Sequence, residues 1–173
     1  MLLPVLLAPA CGDEGPWKPF VAPDFTATDL NHVSPTYGLQ RQLSAELGKV
    51  MLLSFFGFNC GYCRAQFGEL RKLRAIWRSE GLIPDELELW VMGRPSTTVQ
   101  INEFSANSDV PCFIDGGGGD ESVFRQYGAS IDHLFLVDRS GVARHRFDLA
   151  DDSLFDAGNR DRLDTLVREL LAE

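Results

Sequence analysis

The fold of this 173-residue chain is decided by the stretch VMLLSFFGFNCGYCRAQFGEL, residues 50–70. The apolar run from Val50 to Phe56 predicts a buried strand. A helical pattern follows it, with apolar residues spaced for one face at Phe67, Leu70, Leu73, Ile76 and Trp77. Cys60 and Cys63 therefore lie where the carboxyl end of a strand turns into a helix.

This position has chemical consequences for the two thiols. Unpaired N–H groups and the helix dipole at a helix N-terminus stabilise a thiolate. Such positions lower a cysteine pKa from about 8.5 toward 7 or below, and the thiolate is the form that attacks disulfides. Cys63, one turn further along, is placed to close a short disulfide with Cys60. The pattern predicts Cys60 as the nucleophile and Cys63 as the resolving cysteine.

Length and composition indicate one domain, residues 24–173, preceded by an N-terminal segment and Pro/Gly-rich linker, residues 1–23. A net charge of −9 argues against nucleic acid or an anionic membrane as a partner. Four cysteines, two of them in the motif, form a redox pattern and not a disulfide scaffold. Cys112 is predicted to be a small buried hydrophobe.

The N-terminal segment is apolar over residues 1–10 and ends in Leu-Ala-Pro-Ala before Cys11. Small residues before a cysteine resemble a lipoprotein signal-peptide cleavage site, with Cys11 as the lipidated residue. The apolar stretch is short and has no Lys or Arg before it, so an apolar N-terminus without lipid is the alternative. The resemblance predicts an extracytoplasmic, periplasmic location, with a lipid on Cys11 as the only contact with a membrane.

Strands and helices alternate along the rest of the chain. The predicted elements are a strand over Asp24 to Leu30, a short helix over Leu39 to Leu47, a strand over Leu87 to Met92, a helix capped by Ser96, a strand over Cys112 to Ile114, a short helix over Asp120 to Tyr127, a hairpin of Leu134 to Val137 with Val142 to Phe147, and a final helix capped by Asn159. This order predicts an α/β sandwich with a central mixed sheet.

The order of elements, with Cys-x-x-Cys opening the long helix, resembles the thioredoxin fold across Asp24 to Glu173. The hairpin residues Phe135 to Gly141 are similar to those of the extracytoplasmic thiol–disulfide oxidoreductases and the peroxiredoxin-like branch. The resemblance implies a three-layer sandwich with flanking helices. It also implies a protein or small-molecule thiol or disulfide as substrate, an external electron donor, and no cofactor beyond the Cys60–Cys63 disulfide.

Two residues depart from the pattern of these reductases. Asn59 stands where Trp usually precedes the first cysteine, and Asp132 is nearest the slot of the cis-proline that faces the thiols. A trans bond is expected before Asp132, since a cis bond without proline costs about 2.5–4 kcal/mol. Both departures resemble the N-terminal domain of selenoprotein P and its bacterial relatives, which implies that position 60 can natively carry selenocysteine. Asn59, Tyr62, Asp132 and His133 are the predicted substrate-facing surface.

Three alternatives stay open at this point. A peroxidase is a close variant of the same chemistry. A Sco-like copper-binding or other ligand-binding module would use Cys60, Cys63 and His133, although Sco proteins space their cysteines by three residues. Within this second, metal-binding alternative, zinc is weaker than copper, because no second cysteine pair completes a four-ligand set. In the third reading the thiols only stabilise a binding domain.

Overall fold

The structure, a computed structural model, describes residues 17–173, and a six-stranded mixed sheet organises them. The strands are β1 (Phe20–Val21), β2 (Thr26–Thr28), β3 (Gln40–Gln42), β4 (Val50–Phe56), β5 (Leu87–Gly93), β6 (Cys112–Ile114), β7 (His133–Val137) and β8 (Val142–Asp148). The helices are α1 (Gly61–Ser79), α2 (Thr98–Phe104), α3 (Val123–Gln126) and α4 (Ala157–Ala172), and two short 3-10 turns span Leu43–Glu46 and Gly119–Glu121.

The large sheet has the strand order β1-β8-β7-β4-β5-β6. Strands β4, β5 and β6 run parallel, while β7 is antiparallel to β4, β8 to β7 and β1 to β8. All seven residues of β4 are buried, as expected for a strand at the centre of a sheet covered on both faces. The predicted buried strand Val50–Phe56 is confirmed, and α1 begins at the predicted point after it.

Side chains alternate between the two faces of β4 and so build two cores. On one face, Leu52 and Phe56 pack with Phe67 of α1, Phe104 of α2 and Leu163 of α4. On the other face, a second cluster contains Leu43, Leu53, Phe55, Trp90, Phe113, Phe124, Tyr127 and Phe135. Helix α3 and the small β2–β3 sheet cover this second face. The predicted three-layer α/β sandwich with a central mixed sheet is confirmed.

The segment from Leu39 to Leu47 is not the predicted helix. Gln40–Gln42 instead pairs antiparallel with β2, and only a single 3-10 turn, Leu43–Glu46, follows it. The carboxylate of Glu46 binds the side chains of Arg41 and Lys49. Pairing with a neighbouring strand therefore overrides the local helical pattern here, and the predicted strand from Asp24 shrinks to the three residues of β2.

The predicted helix caps are each displaced by one or three residues. Thr97, not Ser96, caps α2, because its hydroxyl and the side chain of Gln100 form a reciprocal capping box. Asp156, not Asn159, caps α4 by accepting the backbone N–H of Asn159. Thr97 and Asp156 are residues of the Ser, Thr, Asp and Asn type that favours the N-cap, as are Ser96 and Asn159. The sequence therefore predicts the type of capping residue correctly, but not its position.

The folded part of the chain extends ahead of residue 24, where the domain is predicted to begin. Phe20–Val21 forms the edge strand of the large sheet beside β8, and Trp17 and Phe20 pack against the second core. No helix within residues 17–173 is long and apolar enough to cross a membrane. Cys11, the predicted lipidation site, lies outside the described residues.

Candidate redox site

The two motif cysteines lie on the first turn of α1, directly after the carboxyl end of β4. The backbone N–H of Cys60 donates to the carbonyl of Gly57 at 3.0 Å, which closes a tight turn between strand and helix. Gly57 suits this turn because a Cβ there would lie 3.2 Å from the Cβ of Cys60. Cys60 has an extended backbone and is the N-cap residue of α1. Sequence reasoning located both cysteines at this boundary, and the structure agrees.

Cys60 and Cys63 form a disulfide, with their Cα atoms 5.2 Å apart. The backbone N–H of Cys63 donates to the Sγ of Cys60 at 3.1 Å. Cys60 is partly exposed, whereas Cys63 is fully buried. Solvent and any partner molecule therefore meet the sulfur of Cys60 first. A helix N–H directed at that sulfur is the arrangement that stabilises a thiolate after reduction.

Asp132 lies beside this disulfide on the segment that leads into β7. Its backbone N–H donates to the carbonyl of Phe55 at 2.8 Å, and its carbonyl accepts the N–H of Leu149 at 2.9 Å. The peptide bond before Asp132 is trans, and its φ of 79° lies in the left-handed region, which Asn and Asp tolerate better than most residues. Two hydrogen bonds thus fix Asp132 between β4 and the end of β8.

The carboxylate of Asp132 is directed toward the sulfurs. One of its oxygens and the Sγ atoms of Cys60 and Cys63 all lie within 4.8 Å of one another. Its Oδ1 is buried and has no hydrogen-bond partner within residues 17–173. Burial, and secondarily the charge of Asp148, raises the pKa of Asp132. The side chain of Asp132 is therefore a partly buried acid next to the disulfide.

The hydroxyl of Tyr62 belongs to a hydrogen-bond network around the buried side chain of Gln66. The hydroxyl of Tyr62 donates to the carbonyl of Leu149 at 2.6 Å and accepts the side-chain amide of Gln66 at 2.6 Å. Gln66 also donates to Ser153 and accepts the N–H of Leu154. The first turns of α1 are thereby tied to the segment between β8 and α4. Sequence reasoning missed Gln66, although a glutamine beside Phe67 on the buried face of a helix was the available signal.

The other predicted surface residues fall in different surroundings. Asn59 is exposed, and Tyr62 is 40% exposed with its ring 6.0 Å from the exposed ring of Phe155. His133 is buried, and its Nδ1 accepts the N–H of Ser130 at 3.2 Å while its Nε2 lies 3.5 Å from Asp148. Asn59 and Tyr62 thus flank the disulfide at the surface, whereas His133 is an interior residue.

The structure does not bring His133 together with the two cysteines. Its ring lies 6.1 Å from that of Phe135, whose side chain belongs to the core on the sheet face opposite α1. In the part of the chain that the structure describes, the metal-ligating side chains that approach one another are those of Cys60, Cys63 and Asp132. In the structure the third residue next to Cys60 and Cys63 is therefore Asp132, and not its neighbour His133.

Cys112 is buried at the start of β6, as the sequence predicts. Its Sγ donates to the carbonyl of Val110 at 3.4 Å, and burial followed by the charge of Asp29 raises its pKa. A thiol kept protonated in an apolar core is a poor nucleophile. Cys112 forms no disulfide within the described residues and has the features of a packing residue.

The strand order, the helices on both faces and a disulfide at the start of α1 define a thioredoxin-like fold. No family model matches the sequence, and no curated protein matches it. Similar solved structures include a candidate protein disulfide isomerase from Bacteroides thetaiotaomicron, with a TM-score of 0.68 and 26% identity over 88% of this chain and 89% of that one. The predicted thioredoxin-like fold is confirmed by this likeness.

Two further structures share the fold at lower identity. A candidate thiol:disulfide interchange protein DsbE from Chlorobium tepidum has a TM-score of 0.64 and 22% identity over 89% of this chain and 97% of that one. A secreted Mycobacterium tuberculosis disulfide oxidoreductase, homologous to E. coli DsbE, has a TM-score of 0.61 and 17% identity over 84% and 96%. These likenesses do not support the narrower resemblance to selenoprotein P.

Proposed function

We propose that the protein is a thiol–disulfide oxidoreductase in which Cys60 is the nucleophile and Cys63 the resolving cysteine. The observation that carries this proposal is the asymmetry of the pair. Cys60 is partly exposed and its sulfur accepts a helix N–H, whereas Cys63 is fully buried. Thiol–disulfide exchange needs one accessible cysteine and one buried cysteine. The first attacks the substrate, and the second attacks the mixed disulfide after it has formed.

The reaction with a disulfide substrate follows from this geometry. In the reduced protein the Cys60 thiolate attacks one substrate sulfur, and the other substrate sulfur leaves as a thiolate that takes a proton. Cys63 then loses its proton and attacks the Sγ of Cys60, which releases the second substrate thiol and forms the Cys60–Cys63 disulfide. Two electrons have passed to the substrate, so an external thiol donor must reduce the protein again. The opposite direction uses the same steps in reverse.

Three of the four residues of the predicted substrate surface lie next to the disulfide, whereas His133 is buried. Tyr62 offers an exposed aromatic ring next to Phe155, and Asn59 offers an exposed amide directly before Cys60. Asp132 stands near the position at which the resembled reductases have a cis-proline facing the thiols. The substrate is a protein or small molecule with a disulfide or thiol, bound against an aromatic and partly acidic rim.

Trapping of a mixed disulfide tests the proposal. Cys63→Ser should leave Cys60 bonded to its partner, because no resolving thiol remains, and non-reducing electrophoresis with mass spectrometry of the captured peptide would detect the adduct. Cys60→Ser should trap nothing. Cys112→Ser serves as the matched control and should turn over like the wild type. Failure of Cys63→Ser to capture either a protein or a small disulfide would contradict the exchange function.

Two narrower expectations from the sequence stay predictions. Selenocysteine at position 60 would give a lower pKa and a stronger nucleophile, and a recoded stop codon at that position of the gene would reveal it. An extracytoplasmic location fits the secreted Mycobacterium tuberculosis protein that shares the fold. Cell fractionation with fatty-acid labelling of the wild type and of Cys11→Ser would test the location and the lipid together.

A further inference from the structure

The group of side chains at the disulfide has the composition of a metal site. One ligand atom from each of Cys60, Cys63 and Asp132 lies within 4.8 Å of the other two. In a tetrahedral zinc site the metal lies about 2.3 Å from sulfur and about 2.0–2.2 Å from carboxylate oxygen, which puts neighbouring ligand atoms roughly 3.5–3.8 Å apart. Once the disulfide is opened, small side-chain rotations would bring the three atoms to these distances.

Asp132 is held at this place although, in residues 17–173, its Oδ1 has no hydrogen-bond partner. Backbone hydrogen bonds to Phe55 and Leu149 fix the residue on both sides. Its Oδ1 is nevertheless buried and accepts no hydrogen bond within the described residues. A buried carboxylate oxygen without a hydrogen-bond donor is costly. A cation bound between Asp132 and the sulfurs would offset this cost.

We propose that the reduced protein binds one Zn²⁺ through the sulfurs of Cys60 and Cys63 and the carboxylate of Asp132, with water in the fourth position. This inference rests on the proposed function insofar as both use a Cys60–Cys63 pair that can be reduced. Two thiolates select a borderline or soft cation over Mg²⁺ or Ca²⁺. The hard carboxylate oxygen selects Zn²⁺ over Cu(I), which prefers sulfur ligands alone.

The chemistry of binding is a proton exchange without transfer of electrons. An external dithiol first delivers two electrons and two protons to the Cys60–Cys63 disulfide and is itself oxidised to a disulfide. Zn²⁺ then replaces the protons on the two thiols, and these protons pass to solvent. The metal covers the sulfur of Cys60 and so blocks attack on a disulfide. Reoxidation of the two cysteines removes two of the three protein ligands and releases the ion. The site is therefore available in only one redox state.

Cobalt and zinc titration of the reduced full-length chain tests this site. After anaerobic reduction with a phosphine, Co²⁺ should bind at one per chain and give thiolate-to-cobalt charge-transfer absorption, which Zn²⁺ displaces. Competition of Zn²⁺ with a chromophoric chelator then gives the affinity. Loss of an outer-shell partner alone costs about 10–100-fold, so Asp132→Asn, which removes a ligand, should weaken binding by about 100-fold. The oxidised protein should bind no metal.

His133→Gln is the matched control, because it changes the neighbouring residue and tests the alternative third ligand. It should bind Zn²⁺ as the wild type does. X-ray absorption of the zinc-loaded wild type gives a readout that needs no variant and should show two sulfur neighbours with oxygen and no imidazole. Lack of stoichiometric Co²⁺ binding, an imidazole neighbour, or unchanged binding by Asp132→Asn would overturn the inference.

An exchange assay on the same protein separates the two proposals. Disulfide exchange by the wild type without metal binding overturns the zinc site alone. Metal binding by a protein that never exchanges disulfides supports the zinc site and overturns the proposed oxidoreductase. Asn keeps the size of Asp and tolerates the left-handed φ at position 132, so the variant is suited to fold, and its circular dichroism and thermal unfolding are measured alongside.

Discussion

At the scale of single residues, the packing around the cysteine turn depends on Gly93. This residue ends β5 and pairs with Phe56 at the end of β4. A Cβ at Gly93 would lie 2.1 Å from the ring of Phe58, which is fully buried and stacks edge-on against Phe104 at 5.2 Å. Phe58 precedes Cys60 by two residues. Because Gly93 has no side chain, the ring of Phe58 can pack at this place and support the cysteine turn.

Gly93→Ala should destabilise the protein by about 1–3 kcal/mol, because the added methyl group must displace the ring of Phe58 in a packed core. Urea unfolding at equilibrium measures this change. Gly116→Ala is the matched control, since its Cβ meets open space and its φ is not in the left-handed region, and we expect little effect. Equal unfolding midpoints for the two variants would contradict this account of Phe58.

The residues of the site differ in how far the sequence alone predicts their role. Cys60 and Cys63 were predictable because their chemistry depends on a local strand-to-helix boundary. Gln66 was not, since its partners Ser153 and Leu154 are 87 and 88 residues away in the chain. Nor could the sequence show that the oxygen of Asp132 is buried without a partner. Such features depend on which distant backbone segments meet.

At the scale of elements, the β7–β8 hairpin is held by one carboxylate. Asp138 accepts the N–H groups of Ser140 and Val142 at 2.9 and 3.0 Å, the hydroxyl of Ser140 at 2.6 Å and the guanidinium of Arg144 at 3.0 Å. Burial raises the pKa of Asp138, but these hydrogen bonds outweigh it, so the pKa lies below its usual value. The ionised carboxylate thus stabilises the turn that aligns the two strands.

Asp138→Ala should cost about 2 kcal/mol of stability at pH 7, as expected for hydrogen bonds to a charged group. Because the folded-state pKa is lowered, the stabilisation is present above the unfolded value of about 3.9 and is lost as the pH falls through the folded value. The difference between variant and wild type should therefore shrink below about pH 4. Urea unfolding at a series of pH values measures it.

Asp120→Ala is the control for Asp138, because the side chain of Asp120 is 98% exposed and its ion pair within the described residues is with the exposed Arg125. Exposed pairs contribute about 0–1 kcal/mol, so this variant should unfold much as the wild type does at every pH. A loss at Asp138 that stayed constant down to pH 2 would show that the carboxylate charge is not what stabilises the turn.

Elements are predictable where the local pattern of apolar residues agrees with the burial that the fold gives them. Val50–Phe56 is apolar at six of seven positions and lies at the centre of the sheet. Leu39, Leu43 and Leu47 have the spacing of one helix face, yet the strand pairing of Gln40–Gln42 with β2 determines the conformation of this segment. Propensity is a weak prior that tertiary context overrides.

At the scale of the whole molecule, two aromatic residues ahead of the predicted domain, Trp17 and Phe20, pack against its core. The sequence does not predict this packing. Trp17 and Phe20 approach Phe135 at 6.5 and 6.1 Å, and Phe20 also approaches Tyr127 at 5.9 Å. The N–H of Ala22 donates to the carbonyl of Gly141 at 2.9 Å. Gly and Pro residues nearby predicted a linker up to residue 23, but a few anchored aromatic residues are enough to extend the sheet.

Two shortened chains, one beginning at residue 17 and one at residue 24, test this extension directly. The shorter chain lacks Trp17, Phe20 and β1, and it exposes Phe135 and Tyr127 on the second core. Each large apolar side chain contributes about 1.5–3 kcal/mol when fully buried, so these partly buried rings should together contribute roughly 2–4 kcal/mol. Urea unfolding should place the midpoint of the chain from residue 24 clearly below that of the chain from residue 17. Phe20→Ala in the full-length chain should reproduce part of this loss, whereas equal midpoints for the two shortened chains would confine the folding unit to residues 24–173.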